Sequence, residues 1–175
     1  MTDHDEFAIG VLGLGRVGLI TAVGLAELGW QVVGAEEDPA KAQAIRQGTV
    51  PFYEDGVEGL LRDHISSGRL TIENSVAAAM DHADVLFVCV GTPEGENGAA
   101  DVSQLNEVAA TIGANLDGYK LVIEKSTSPV KTVEEIKRTI SEHAANNGSR
   151  RHGTDFDVAV NPEFLREGMA MRDFL

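Results

Sequence analysis

Short apolar runs alternate with longer amphipathic stretches along the whole chain, and that alternation limits it to very few architectures. FAIGVLGL (7–14), WQVVGAE (30–36), RLTIEN (69–74), DVLFVCVG (84–91), YKLVIEKS (119–126) and FDVAV (156–160) read as strands. Helical spacing is carried by 16–28, 38–48, 56–68, 75–83, about 102–116 and 129–145. Gly29 stands where the first helix must end, and Asp38, Pro39 and Gly48 supply cap, first-turn proline and stop for the second. TPEGENGAAD (92–101) and NNGSRRHGT (146–154) are polar loops. Strands that alternate with helices predict an α/β fold, a doubly wound and mostly parallel sheet of six or so strands with helices on both faces. A ligand of such a sheet lies beyond the carboxyl ends of its strands. Four glycine-rich or polar junctions, GLGRVG, VGTP, EKSTSP and NPEFLREG, each follow a strand, so all four are expected along one edge.

The 175 residues amount to one domain, and no apolar run approaches the ~20 residues that span a bilayer. The acidic start, MTDHDEF, lacks the basic and apolar regions of a signal peptide. Cys89 is the single cysteine, which excludes an internal disulfide and a multi-cysteine metal site, and no metal is expected. These features point to the cytoplasm. Asp and Glu total 28 against 14 Lys and Arg, a balance that repels phosphate backbones and argues against nucleic acid. A salt-rich cytoplasm accounts for such acidity through screening and hydration; a merely acidic protein is the plainer alternative.

GLGRVG (13–18) fits G-x-G-x-x-G, a weak pattern alone in a chain with 19 glycines. Its context sharpens it: a strand precedes, a helix follows, and Glu36 stands 18 residues after Gly18 at the end of the next strand. Gly13 permits the tight turn, Gly15 lets backbone approach a pyrophosphate, and Gly18 lets helix and strand pack closely. Backbone N–H groups near Arg16 and Val17 then face phosphates at a helix N-terminus. Glu36 is placed for ribose hydroxyls, with Glu37 and Asp38 adding negative charge, so NAD is expected over NADP. A glycine-rich turn without nucleotide, or a flavin in place of nicotinamide, are the competing readings.

Thr92 and Pro93 of VGTP are expected to line the cleft from its second side, although Thr-Pro is also a common strand-ending turn. In EKSTSP, Ser126 and Thr127 offer two hydroxyls near where a nicotinamide would extend, and one of them is expected to cap the helix beginning near Pro129. In NPEFLREG, Glu163 and Glu167 are expected on one face of a helical turn at i, i+4. Paired carboxylates repel, which a solvated surface gains nothing from, whereas a site that handles protons or sugar hydroxyls can use them.

These four junctions, in this order, resemble the UDP-glucose/GDP-mannose dehydrogenase family. VVGAEEDPAK, PFYEDGVEGLL and EGMAMRDFL are similar to further segments of its NAD-binding domain, so that the likeness covers residues 7–175. The resemblance implies a Rossmann-like fold and a four-electron oxidation with two NAD. In it the C6 alcohol of a UDP- or GDP-linked sugar passes through an aldehyde and a cysteine thioester to the uronic acid, a step of polysaccharide biosynthesis. It also implies a homodimer in the full-length protein. Val17, Glu36, Lys41, Thr92, Thr127 and Glu167 match cofactor-contacting positions. Glu163 matches the acid that assists thioester hydrolysis, Thr127 also helping to hold the water. Phe164 and Leu165 match a backbone segment that contacts substrate, beside Glu163 and Glu167.

Departures from the family pattern are modest. Glu36 replaces the usual Asp, Glu37 stands where an apolar residue is common, and Ser128 and Lys131 replace a valine and a glycine. The larger difference is the family's nucleophilic cysteine, which falls beyond Leu175 together with the central helical and C-terminal substrate domains. Cys89, inside an apolar strand, is expected to be buried with little thiolate and no catalytic part. The chain is therefore expected to bind NAD without full turnover. A stand-alone NAD-binding regulatory module and a dehydrogenase of the β-hydroxyacid type are the alternatives.

Overall fold

The structure, a computed structural model, describes residues 7–95, 98–126, 132–144 and 152–175. Six strands form one parallel sheet: β1 (Ile9–Leu12), β2 (Val32–Ala35), β3 (Leu70–Glu73), β4 (Val85–Val88), β5 (Lys120–Glu124) and β6 (Phe156–Val160). Their spatial order is β3-β2-β1-β4-β5-β6, with the reversal between β1 and β4, which makes it the doubly wound sheet expected. Gly10 of β1 has a packing reason for lacking a side chain, since a Cβ there would stand 2.9 Å from Leu86 Cδ2 on the neighbouring strand.

Seven helices are described: α1 (Arg16–Glu27), α2 (Pro39–Arg46), α3 (Val57–Ser67), α4 (Val76–Met80), α5 (Ser103–Ala114), α6 (Thr132–Ala144) and α7 (Ala170–Phe174). α1, α2, α3 and α7 pack with Ile9 and Val11 into one core layer, and α4, α5 and α6 pack with Leu12, Val88 and Val122 into the other. Successive β1 side chains thus serve opposite faces, the period-2 rule of a strand covered on both sides.

Local chemistry explains most boundaries. Asp38 caps α2 by accepting from the N–H groups of Ala40 (2.9 Å) and Lys41 (3.1 Å), a contact worth ~1 kcal/mol. Gly29, at φ 104°, lets the chain leave α1 while the N–H of Trp30 reaches Leu25 O. α4 ends at Met80, three residues earlier than its spacing predicts. Lys120, buried at the start of β5, donates from Nζ to the carbonyls of Met80 (3.0 Å) and Ala83 (2.8 Å) and closes that end. α7 has no counterpart in the expected elements, because at five residues its pattern is too short to register. Among the described residues, no helix is long and apolar enough to cross a membrane.

Candidate cofactor and active site

All strands run in one direction, so their carboxyl ends bring the glycine turn, Glu36, Thr92, Ser126 and Glu163 to a single edge, as expected from the sequence. Two cavities meet there. The first, of about 550 Å³, is lined by Gly13, Gly15, Glu36 and Lys41 on one side and by Gln104, Glu107 and Thr111 of α5 on the other. The second, of about 260 Å³, is lined by Arg16, Val17, Thr92, Lys125, Ser126 and Glu163. Gly15, Cys89, Val90 and Gly91 border both, so the glycine turn is the saddle between them.

The three glycines divide their work. Gly13 sits at φ 91°, a conformation that disfavours other residues, and a Cβ there would meet Cys89 O at 3.0 Å. A Cβ on Gly18 would stand 1.9 Å from Gly13 O, so Gly18 is what allows α1 to lie against the turn. A Cβ on Gly15 would meet nothing within 4 Å. Packing therefore gives no reason for glycine at 15, whereas a ligand lying on the backbone would. Gly15 is the N-cap of α1 and no side chain caps that helix, so its first-turn N–H groups are directed at the saddle.

Glu36 follows β2 and is 9% exposed. Its Oε1 accepts from the Asp38 N–H (3.1 Å) and its Oε2 lies 2.5 Å from Lys41 Nζ. The carboxylate is held beside the first cavity by the cap and first turn of α2, the helix that follows it. These residues fit a dinucleotide: an open glycine cradle under a helix N-terminus, with a fixed acid beside it in the first cavity.

In the second cavity the structure corrects one expectation. Glu163 and Glu167 do not share a helical face, since 161–166 is irregular and 167–168 is a turn, with Gly168 at φ 79°. The cause is local. Glu163 Oε1 accepts from the N–H groups of Phe164 and Leu165, both at 2.7 Å, which diverts the backbone from helical bonding. Glu163 turns inward, 15% exposed, with Oε2 at 3.5 Å from Lys125 Nζ. Glu167 turns outward, 80% exposed, with Oε1 at 3.6 Å from Arg16 Nε. Phe164 is exposed and Leu165 is half-buried against the core, and their N–H groups are engaged by Glu163.

Ser126 Oγ donates to Val90 O at 2.7 Å, tying the ends of β5 and β4. Thr127, and with it the expected cap near Pro129, lies outside the described residues. Thr92 borders the second cavity, whereas Pro93 lines neither, its carbonyl instead accepting from the Asp101 N–H at 2.8 Å. Cys89 is buried one residue beyond β4, and burial pushes its thiol up to about 12, as its apolar setting foretold.

Three contributors escaped sequence reasoning. Lys125 and Asn161 leave the ends of β5 and β6 side by side, Nζ to Oδ1 2.9 Å, and the only signal was a lysine inside EKSTSP. The polar α5 face at 104, 107 and 111 was legible as i, i+3, i+7 spacing. Glu54, its side chain 1% exposed, accepts from the N–H groups of Gly168 (2.9 Å) and Ala170 (2.7 Å) across more than a hundred residues, and no local pattern marks it. It also lies 3.7 Å from Arg16, whose guanidinium stacks 4.7 Å over Phe52. The glycine turn, the PFYEDG segment and NPEFLREG are joined through these two side chains.

Comparison with known proteins agrees with this geometry. Residues 7–175 match the family described as UDP-glucose/GDP-mannose dehydrogenase family, NAD binding domain. The chain is 44% identical over 164 residues to a UDP-glucose 6-dehydrogenase of Pseudomonas aeruginosa, covering 94% of this chain and 36% of that protein. Among solved structures, a UDP-glucose dehydrogenase from Pyrobaculum islandicum superposes with a TM-score of 0.90 at 38% identity, covering 99% of this chain and 40% of that one. A GDP-mannose dehydrogenase ternary complex from Pseudomonas aeruginosa gives 0.89 at 34%, covering 95% and 38%. The chain spans little more than a third of the curated dehydrogenases it matches. It belongs to the UDP-glucose/GDP-mannose dehydrogenase family, as an NAD binding domain.

Proposed function

We propose that this domain holds NAD across the saddle at Gly15, adenosine in the first cavity and nicotinamide in the second. We further propose that it serves a nucleotide-sugar 6-dehydrogenase whose remaining domains complete the site. The observation that carries the reading is the pair of cavities joined at an uncapped helix N-terminus, with Glu36 fixed in one and Glu163 in the other. NAD, when bound, supplies a hydride acceptor. The chain's own residues bind and orient: first-turn N–H groups of α1 face the pyrophosphate, Glu36 accepts from the ribose hydroxyls, and Thr92 and Ser126 border the ring. Glu163, a partly buried carboxylate braced by two N–H groups and Lys125, is placed to take a proton from an active-site water, and Thr127 and Glu167 are assigned to the same end. The backbone of Phe164 and Leu165 borders the substrate in this reading.

A primary alcohol at C6 of a UDP- or GDP-linked sugar is the proposed substrate, carried to the carboxylate with two NAD, in a homodimer and in a cytoplasm rich in salt. The family match and the excess of carboxylates support this setting.

Titration calorimetry with NAD and NADP tests the cofactor assignment. A 2′-phosphate beside Glu36 meets repulsion of roughly 4 kcal/mol at ~4 Å and an effective dielectric of 20, which Lys41 offsets in part. NADP is therefore expected to bind at least tenfold more weakly than NAD. Glu36→Ala frees Lys41 and narrows that gap; equal affinities in the wild type would end the assignment of Glu36.

A further inference from the structure

We infer that Lys125 and Glu163 form a charge-balanced pair that sets the domain's preference between oxidised and reduced nicotinamide. The inference rests on the reading above, in which the second cavity takes the nicotinamide half of the cofactor. The oxidised ring carries a positive charge and the reduced ring none, so net charge in the cavity wall discriminates between them.

Lys125 is 6% exposed, an uncommon state for a lysine unless it is paired. The other lysine buried among the described residues, Lys120, is used by the carbonyls that close α4. Lys125 borders the cavity instead, with Asn161 Oδ1 at 2.9 Å and Glu163 Oε2 at 3.5 Å. Glu163 Oε2 is buried and has no hydrogen-bond partner among the described residues, so Lys125 is its counter-charge. The other groups described along the wall are the same in every variant of the pair: Arg16 faces two carboxylates, Glu54 and Glu167, the Cys89 thiol is kept protonated by burial, and Thr92 and Ser126 are neutral. With the pair intact its two charges cancel; with one member removed, the other is uncovered beside the ring.

The sign of each change follows. Glu163→Gln leaves the Lys125 cation and weakens NAD relative to NADH. Lys125→Met leaves the Glu163 carboxylate and strengthens NAD relative to NADH. A unit charge about 6 Å from the ring at an effective dielectric of 20 corresponds to roughly a hundredfold, and solvent at the cavity mouth reduces this to roughly tenfold.

The test is to titrate the 175-residue chain with NAD by calorimetry and with NADH by fluorescence, for the wild type, both single variants and the double variant. The ratio of the two affinities is expected to move roughly tenfold in opposite directions in the singles and to return near the wild-type value in the double. A purely structural role lowers both affinities together, and an unmoved ratio, or one moved the same way by both singles, overturns the inference. If Lys125→Met does not fold, the sign of the change in Glu163→Gln alone decides. A wild type that binds neither form overturns the underlying reading together with this one, whereas binding with an unmoved ratio overturns this one alone.

Discussion

Replacing Gly15 and Gly18 separately by alanine divides what the glycine turn does for the fold from what it does for a ligand. At Gly18 the added methyl carbon would lie 1.9 Å from Gly13 O and 3.1 Å from Cys89 Cβ. The first is backbone in a turn already fixed at φ 91°, so α1 must move away from β1 by more than an ångström. Overpacking of this kind costs 1–3 kcal/mol and sometimes more, and about 3 kcal/mol is expected here. With a urea slope of about 2 kcal/mol/M, the unfolding midpoint falls by about 1.5 M. At Gly15 the methyl meets nothing within 4 Å, and φ −65° is open to alanine. Loss of a favourable cap residue and gain from a stiffer unfolded chain offset to within about 1 kcal/mol. Gly15→Ala is therefore expected to keep the midpoint and to lose NAD affinity by at least tenfold, since its methyl occupies the space a pyrophosphate needs. Circular dichroism in urea reads the first quantity and calorimetry the second. Undiminished NAD binding by Gly15→Ala would refute the cradle, and a wild-type midpoint for Gly18→Ala would refute the packing argument.

Glu54→Ala strips the acceptor from two backbone N–H groups at the start of α7, and about 3 kcal/mol of stability is expected to go with it, with Glu54→Gln retaining part; equal midpoints for wild type and Ala variant would contradict this. Cys89, its thiol pushed up to about 12, is expected to resist disulfide-exchange reagents at pH 8 in the native state and to react once unfolded in urea, a contrast that thiol counting reads directly. Asp173 is held down to about 2, chiefly by hydrogen bonds from the Arg166 guanidinium and then the Arg166 N–H. A depressed carboxylate contributes above its unfolded value of about 3.9 and loses that contribution as pH falls through its folded value. The 166–173 tie is thus expected to persist at pH 5 and to open between about pH 4 and 2, visible as movement of the Arg166 amide resonance.

Sequence reasoning succeeded where causes are local. GLGRVG requires a turn whose Gly13 takes a positive φ and whose Gly18 admits a helix, and both follow from the residues themselves. Asp38-Pro39 starts a helix and Gly48 ends one for the same reason. It failed at NPEFLREG. The i, i+4 rule presumed a helix, but Glu163 faces Lys125 of another strand end while it accepts from its own next two N–H groups, and Glu54, from a distant loop, accepts from the N–H groups of Gly168 and Ala170.

The two lysines of YKLVIEKS show where the boundary lies. Strand periodicity, charge and the junction at the strand's end were open to the sequence, because each depends on residues a few positions apart. That Lys120 would close the end of α4 while Lys125 would face Glu163 and Asn161 in a cavity was not. Both lysines belong to one short segment and are equally buried, 6% exposed each. Only the stacking of β5 between β4 and β6, which sets what stands beyond each end of the strand, assigns one to the scaffold and the other to the site.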